Sequence, residues 1–409
     1  MRGELLRPEE LLASVRAQPW APRLLDALAG VPDLHLVGGA VRDLMLGLEH
    51  PDIDLVVEGD ALAIAGGLAE RLGGGLVLHE RFGTAVVTDG ELTFDLVRAR
   101  AERYPAPGAL PDVAPGTLES DLARRDFTVN AIALALSGER TGELRAVPHA
   151  LADLEQGLIR VLHERSFVDD PTRLLRAVRY ATRLGFEIEP GTAELARAAV
   201  SAGALDTVSG PRIRDELLDL LREPGAPASI AGLEALGIAR ALRPGFGSEP
   251  EVVERALALA PAEARVELIA LAACTRRVPR PALRAWLERL GLEAGERDVV
   301  LAVALEAEPL AVALSAAERP SEIAAAVRGR PLEAVALAGA LGAREPALRW
   351  LTELRYVALG IGGADLLAAG VAQGPAIGRA LAAALAAKLD GELADGREAE
   401  LRTALEAAR

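Results

Sequence analysis

Apolar residues follow two regimes along the chain. Up to about residue 148 they come in short runs separated by turn residues: Leu34–Val37, Ile53–Val57, Gly75–His79, Thr84–Thr88 and Leu92–Val97. Short apolar runs bounded by turn signals predict β-strands. Ala61 to Leu72 and Ala40 to Leu46 have helical spacing instead, and residues 8 to 29 predict a leading amphipathic helix with a break near Trp20 and Pro22. Asp89-Gly90 between two apolar runs is a hairpin signal, making 84–88 and 91–97 antiparallel neighbours. Arg100 to Ser120 carries Pro105, Pro107, Pro111 and Pro115 and predicts a long functional loop. Beyond about residue 150 nothing reads as strand. Ala, Leu, Glu and Arg recur with helical period to residue 409, interrupted by Gly and Pro near 190, 210, 224, 244–249, 278–281, 318–320 and 374–375. The pattern predicts an α+β fold, with a small sheet in the N-terminal part and a long all-helical continuation.

Composition narrows this picture. A length of 409 residues allows two to four domains. With 51% hydrophobic but only 3% aromatic residues, the cores must be built from Ala, Leu and Val. No apolar stretch reaches the roughly 20 residues of a membrane span, and Met1-Arg-Gly-Glu-Leu-Leu-Arg7 lacks the apolar region of a signal peptide. A cytoplasmic protein with no membrane partner is expected. Cys274 is the single cysteine, so no internal disulfide forms, and it reads as a small buried apolar residue. The net charge of −15 opposes a nucleic-acid partner, but from Asp121 to Arg183 ten Arg stand against nine Asp plus Glu, so a local basic strip remains. Lys388 is the only lysine, which reflects compositional bias. All five histidines lie within the first 163 residues, which argues against a His-Asp (HD) phosphohydrolase domain in the helical half.

The candidate chemistry begins with Leu36-Val-Gly-Gly-Ala-Val-Arg-Asp43 followed by Pro51-Asp-Ile-Asp-Leu-Val-Val57. Asp52 and Asp54 on one strand share a face, and two adjacent carboxylates call for a cation, with Mg²⁺ the best match to hard oxygen ligands. Gly38-Gly39 between a strand and a helix offers bare backbone N–H groups to a phosphate. A phosphate cradle beside a carboxylate pair points to nucleotidyl transfer. Asp95, in Thr93-Phe-Asp-Leu-Val97, is the candidate third carboxylate of a two-metal site. Arg124 and Arg125 next to Asp126 have the donors that suit a triphosphate, and Asp126 and Asn130 share a helical face able to reach a ribose or base. In Asp169-Asp-Pro-Thr-Arg-Leu-Leu-Arg-Ala-Val-Arg-Tyr180, Arg173, Arg176, Arg179 and Arg183 form a basic stripe opposite Leu174, Leu175, Ala177 and Val178. Asp170 and Arg173 can present a donor–acceptor pattern to a base edge. Gly362 to Gly378 predicts two short helices, the second opened by Gly374-Pro375 as a weak candidate for phosphate-backbone contact.

These motifs, with Ser209 to Leu217, resemble the bacterial class II tRNA nucleotidyltransferase (CCA-adding enzyme)/poly(A) polymerase family of the DNA polymerase beta-like nucleotidyltransferase superfamily. The resemblance implies a lead at 1–30, a mixed-sheet nucleotidyltransferase head at 31–148, a base-recognising neck at 149–235, a body at 236–320 and a tRNA-gripping tail at 321–409. It implies that Asp52 and Asp54 bind two Mg²⁺ ions and that Asp95 activates the primer 3′-hydroxyl. Gly38, Gly39, Arg42, Asp43 and Arg125 would line the nucleotide, with Asp126 and Asn130 at the ribose. Asp170 and Arg173 would pair with the base, supported by Arg176 and Arg179. The implied substrates are ATP, CTP and the tRNA 3′ end. CCA, CC-only, A-only and poly(A) addition all stay open, and so does an inert nucleotide-binding relative. Arg98 to Pro111 looks closer to A-adding members. Two departures stand out: Asp169 where the family has Glu, and an added Gly210-Pro211.

Overall fold

The computed structural model describes residues 5–31, 34–48, 53–79, 83–90, 92–247, 249–393 and 396–409. The chain divides into two compact units, Met1–Ser209 and Gly210–Arg409. The boundary falls inside the segment expected to be the neck.

In the first unit, helices α1 (Pro8–Arg16) and α2 (Ala21–Ala27) precede strand β1 (Leu34–Val37), helix α3 (Gly39–Met45), strand β2 (Ile53–Val57) and helix α4 (Ala61–Leu72). The break between α1 and α2 falls where Trp20 and Pro22 predicted it. Strands β3 (Gly75–His79), β4 (Thr84–Asp89) and β5 (Leu92–Arg98) follow the apolar runs almost residue for residue. β4 and β5 pair antiparallel from Thr84↔Val97 to Asp89↔Leu92, around a Gly90 with φ +64°. That left-handed conformation is why glycine follows Asp89.

The segment read as a structureless loop is instead a hairpin. Strands β6 (Arg100–Arg103) and β7 (Asp112–Pro115) pair from Arg100↔Pro115 to Arg103↔Asp112, and helix α5 (Leu118–Ala123) follows. Prolines obscured it, yet a proline at the end of a two-stranded ribbon costs no interior ladder bond. Strands β8 (Ile132–Ala135) and β9 (Leu144–Ala146) complete a seven-stranded mixed sheet of order β3-β4-β5-β2-β1-β8-β9. Within this sheet, among the described residues, only the β2–β5 pairing is parallel. All four residues of β1 and of its neighbour β8 are buried.

Helices α6 (Ala150–Gln156), α7 (Ser166–Asp169), α8 (Arg173–Leu184) and α9 (Pro190–Ser201) close the unit. The expectation of no strand beyond 150 fails at β10 (Leu158–Ile159) and β11 (Glu187–Ile188), a two-residue parallel pair too short for any periodicity to show.

The described residues of the second unit are helical from α10 (Gly210–Arg222) to the last helix, Arg397–Ala407. Helix Ala294–Ala316, of 23 residues, is long and apolar enough to cross a membrane by length and composition, although its sequence holds no uninterrupted apolar stretch of about 20 residues. Val300, Leu301, Val303, Ala304, Leu310 and Leu314 are buried in this unit's own packing, the role of a core helix. Near the end, Gly374 precedes helix Pro375–Leu389, which at 15 residues is longer than expected. Its Ala380 and Ala384 pack with Ile361, Leu366 and Ala404. Gly374 and Pro375 are exposed.

Candidate functional site

The parallel pairing of β2 with β5 sets Asp54 opposite Asp95. Phe94 and Leu96 are buried while Asp95 is half-buried, and Asp54 is half-buried between Ile53 and Leu55. Alternation therefore turns both carboxylates to the same face of the sheet, opposite the one that buries Ile53, Leu55, Phe94 and Leu96. Asp52, expected as their companion, lies outside the described residues.

On the other side of β2, the adjacent strand β1 runs into α3 through Gly38, whose φ of +71° and ψ of −128° suit only glycine. A Cβ at this position would stand 2.5 Å from Arg125 Nη1. The missing side chain thus serves both the turn and the approach of a guanidinium. Arg125 is steadied by Asp121 at 3.0 Å and donates through Nη1 to the Asn130 carbonyl at 3.4 Å.

From Asn130 a polar network runs to α8. Asn130 Nδ2 donates to Asp126 Oδ1 at 3.0 Å, and Arg42 Nη1 donates to Asn130 Oδ1. Arg42 grips Asp43 in bidentate fashion, Nε to Oδ1 at 2.6 Å and Nη2 to Oδ2 at 2.9 Å. Asp126 Oδ2 receives Arg176 Nε at 2.9 Å, while Oδ1 also accepts the Phe127 N–H at 2.9 Å. Burial alone pushes the Asp126 carboxyl up, but the Arg176 charge, the hydrogen bonds from Asn130 and Arg176, and the Arg173 charge together hold it below its ordinary value. Arg42, Asp43, Asn130, Asp126 and Arg176 thus belong to one connected set.

Five expected side-chain ligands of the nucleotide are buried: Asp43, Asp126 and Asn130, and with them Arg42 and Arg173. Arg42 is 2% exposed and Arg173 4% exposed. Arg173 donates to Ser166 Oγ at 2.7 Å and to the Arg124 carbonyl at 2.8 Å. The stripe expected to face outward therefore fails at its first member. Steps of three residues rotate about −60° each on an α-helix, so Arg173 lies about 120° from Arg179, towards the buried Leu174 and Ala177. Arg176 and Arg179 are half-buried and Arg183 is exposed. Asp170 is held just before α8 by the Thr172 N–H and hydroxyl, at 3.1 and 2.7 Å.

The donor set at Asp54 and Asp95 fits a hard divalent cation. Their oxygens sit on adjacent strands, and among the described residues no group of three or more His, Cys, Asp or Glu forms a closed metal cage. A carboxylate pair matches an ion that also keeps water or phosphate ligands, as Mg²⁺ does. Sequence reasoning overlooked Asp121, which anchors both Arg124 and Arg125 at 2.7 and 3.0 Å. Its spacing of three and four residues ahead of them was a readable signal. Ser166 and Tyr180 were overlooked too, and nothing local in the sequence marks them.

Residues 34–160 match the poly A polymerase head domain family, and residues 185–248 match the family described as the probable RNA and SrmB-binding site of polymerase A. An A-adding tRNA nucleotidyltransferase of Geobacter sulfurreducens is 35% identical over 398 residues, 92% of this chain and 45% of that protein. A CC-adding tRNA nucleotidyltransferase of Deinococcus radiodurans is 43% identical over 222 residues, 52% of this chain and 56% of that protein. The chain spans about half the length of these curated relatives. Among solved structures, a CCA-adding enzyme in its apo form II superposes with a TM-score of 0.84 at 32% identity, covering 100% of both chains. The Thermotoga maritima CCA-adding enzyme complexed with tRNA superposes with a TM-score of 0.79 at 31% identity, again over 100% of both chains.

Proposed function

The chain belongs to the tRNA nucleotidyltransferase/poly(A) polymerase family, and we propose that it adds CMP and/or AMP to the 3′ end of tRNA, using CTP and ATP. The observation that carries this reading is the Asp54–Asp95 pair, set on one sheet face by parallel register. In a nucleotidyl transfer the primer 3′-hydroxyl oxygen bonds to the α-phosphorus of the nucleotide and pyrophosphate leaves. Asp54, with Asp52, would hold two Mg²⁺ ions, which supply charge neutralisation at the attacking and leaving oxygens. Asp95 orients the 3′-hydroxyl and draws its proton.

Around them, Gly38 and Gly39 give the phosphates close access to backbone, and Arg125, held at Gly38, supplies a positive charge. Asp126 and Asn130 address the ribose. Arg176 and Arg179, half-buried on α8, face the nucleotide, whereas Arg42 and Asp43 brace Asn130 from behind. Asp170 and Arg173 address the base, with Arg173 anchored by Ser166 and the Arg124 carbonyl. We assign the lead, head, neck, body and tail as 1–30, 31–148, 149–235, 236–320 and 321–409, with Gly374 and Pro375 on the RNA-binding tail.

A narrower reading, addition of AMP alone, is supported by a relative that matches 92% of this chain and is named as A-adding. Transcripts ending before the first C, the second C or the final A, each given single nucleotides and Mg²⁺, separate the two. Extension of all three supports CCA addition. Extension of the last alone, by AMP, supports the narrower reading, and none on any would refute both.

A further inference from the structure

Three guanidinium groups from two helices meet at one aromatic ring. Arg42 of α3 and Arg176 and Arg179 of α8 lie 5.4, 5.3 and 5.4 Å from the centroid of Tyr180. Arg176 Nη2 also donates to the Tyr180 hydroxyl at 3.1 Å. The ring is fixed by Phe127, edge-on at 5.9 Å and an interplanar angle of 74°. Phe127 is fully buried and directly follows Asp126, so two consecutive head residues address α8 four residues apart, Asp126 through Arg176 and Phe127 through Tyr180.

Three like charges this close repel one another. Asp126 and Asp43 offset part of that repulsion, each from one side. All three cations share the ring, and its negative face attracts guanidinium groups. A carboxylate in the same place would compete with an incoming polyphosphate. An aromatic ring gathers the cations and adds no further negative charge to those of Asp43 and Asp126.

The geometry points to Tyr180 as the residue that positions the nucleotide-binding arginines: it holds Arg176 and Arg179 towards the triphosphate and ties them to the buried Arg42. This rests on the reading above that those two arginines face the nucleotide. Tyr180 touches no reacting atom. Its effect therefore belongs in nucleotide affinity, with little in turnover.

The test uses the full chain with position 180 occupied by Tyr, Phe, trifluorinated Phe or Leu. Two quantities are read: extension kinetics on a tRNA transcript, and calorimetric binding of inorganic tripolyphosphate without tRNA. Tyr180→Phe keeps the ring and is expected within about threefold of wild type in both. Tyr180→Leu is expected to raise the nucleotide KM and weaken tripolyphosphate binding by about tenfold or more, with kcat and the tRNA KM changed less than about threefold. The fluorinated ring keeps the packing and removes the negative face, so it remains informative if the Leu variant does not fold. It is expected to behave like Leu.

Equal tripolyphosphate affinity across the series, or a loss confined to kcat, would overturn the inference and make Tyr180 a plain core residue. So would a wild type that binds no tripolyphosphate. A wild type that binds it in a ring-dependent way, yet extends no transcript, would leave this inference standing and remove the polymerase reading.

Discussion

Asp54 and Asp95 are register partners on neighbouring parallel strands. Sequence places them 41 positions apart. Only the order of the sheet, in which β2 and β5 are adjacent, brings their carboxylates to one face. A cation held by Asp54 in the field of Asp95 would bind the folded chain and not the unfolded one, so it would stabilise the fold. With a Kd of about 1 mM, 10 mM Mg²⁺ would add about 1.4 kcal/mol. We expect a Mg²⁺-dependent rise in Tm in wild type that is absent in Asp54→Asn and in Asp95→Asn. An equal rise in all three would place the binding elsewhere.

Gly38 is held by two independent constraints, a positive φ and the Arg125 guanidinium. Gly38→Ala should cost about 1–3 kcal/mol in chemical denaturation, the range for strained backbone. Adding Arg125→Ala removes the close approach but not the strain. The double variant should therefore recover only part of the loss, and full recovery would show that the backbone tolerates alanine.

Acid should act on the network through Asp126. Its folded carboxyl titrates below the ordinary value of 3.8, so the stability it contributes is complete above that value and disappears as pH falls through the lowered one. Asp126→Asn should lower stability at pH 7 by about 1–3 kcal/mol, the cost of unpairing a buried group. It should also flatten the fall in stability below about pH 4. Unchanged acid sensitivity in the variant would remove Asp126 from that role.

Much of this site was legible in the sequence, for reasons that also explain what was not. Strands β1, β2 and β3 and helix α4 were readable because each has one period and a clear stop, and the Asp89-Gly90 turn has few competing readings. The β6–β7 hairpin was hidden because its prolines stand in and around short strands that need no interior ladder. The membrane-length helix escaped because Glu306, Glu308 and Pro309 interrupt its apolar run. Arg173 shows the deeper limit. Spacing gives a residue's angle on its helix, but its burial depends on Ser166 and the Arg124 carbonyl, which other segments bring to it.

Cys274 is 2% exposed, and burial, together with the charge of Glu249, pushes its thiol up. A thiolate is the reactive form, so native protein should leave a disulfide reagent such as DTNB unreacted at pH 8, and one thiol should appear on unfolding. Rapid labelling of the native chain would contradict its buried placement.

The acidic pair as the centre of nucleotidyl transfer is tested most directly by one comparison. A tRNA transcript lacking its terminal A is incubated with ATP and Mg²⁺ and with wild type, Asp54→Asn or Asp95→Asn, with tRNA binding measured alongside. We expect single-nucleotide extension by wild type and a loss of about 10³-fold or more in each variant, a scale that one electrostatic group of a preorganised site can command. Binding of the transcript should stay unchanged. Variants that extend the transcript at the wild-type rate would contradict the assignment of this pair.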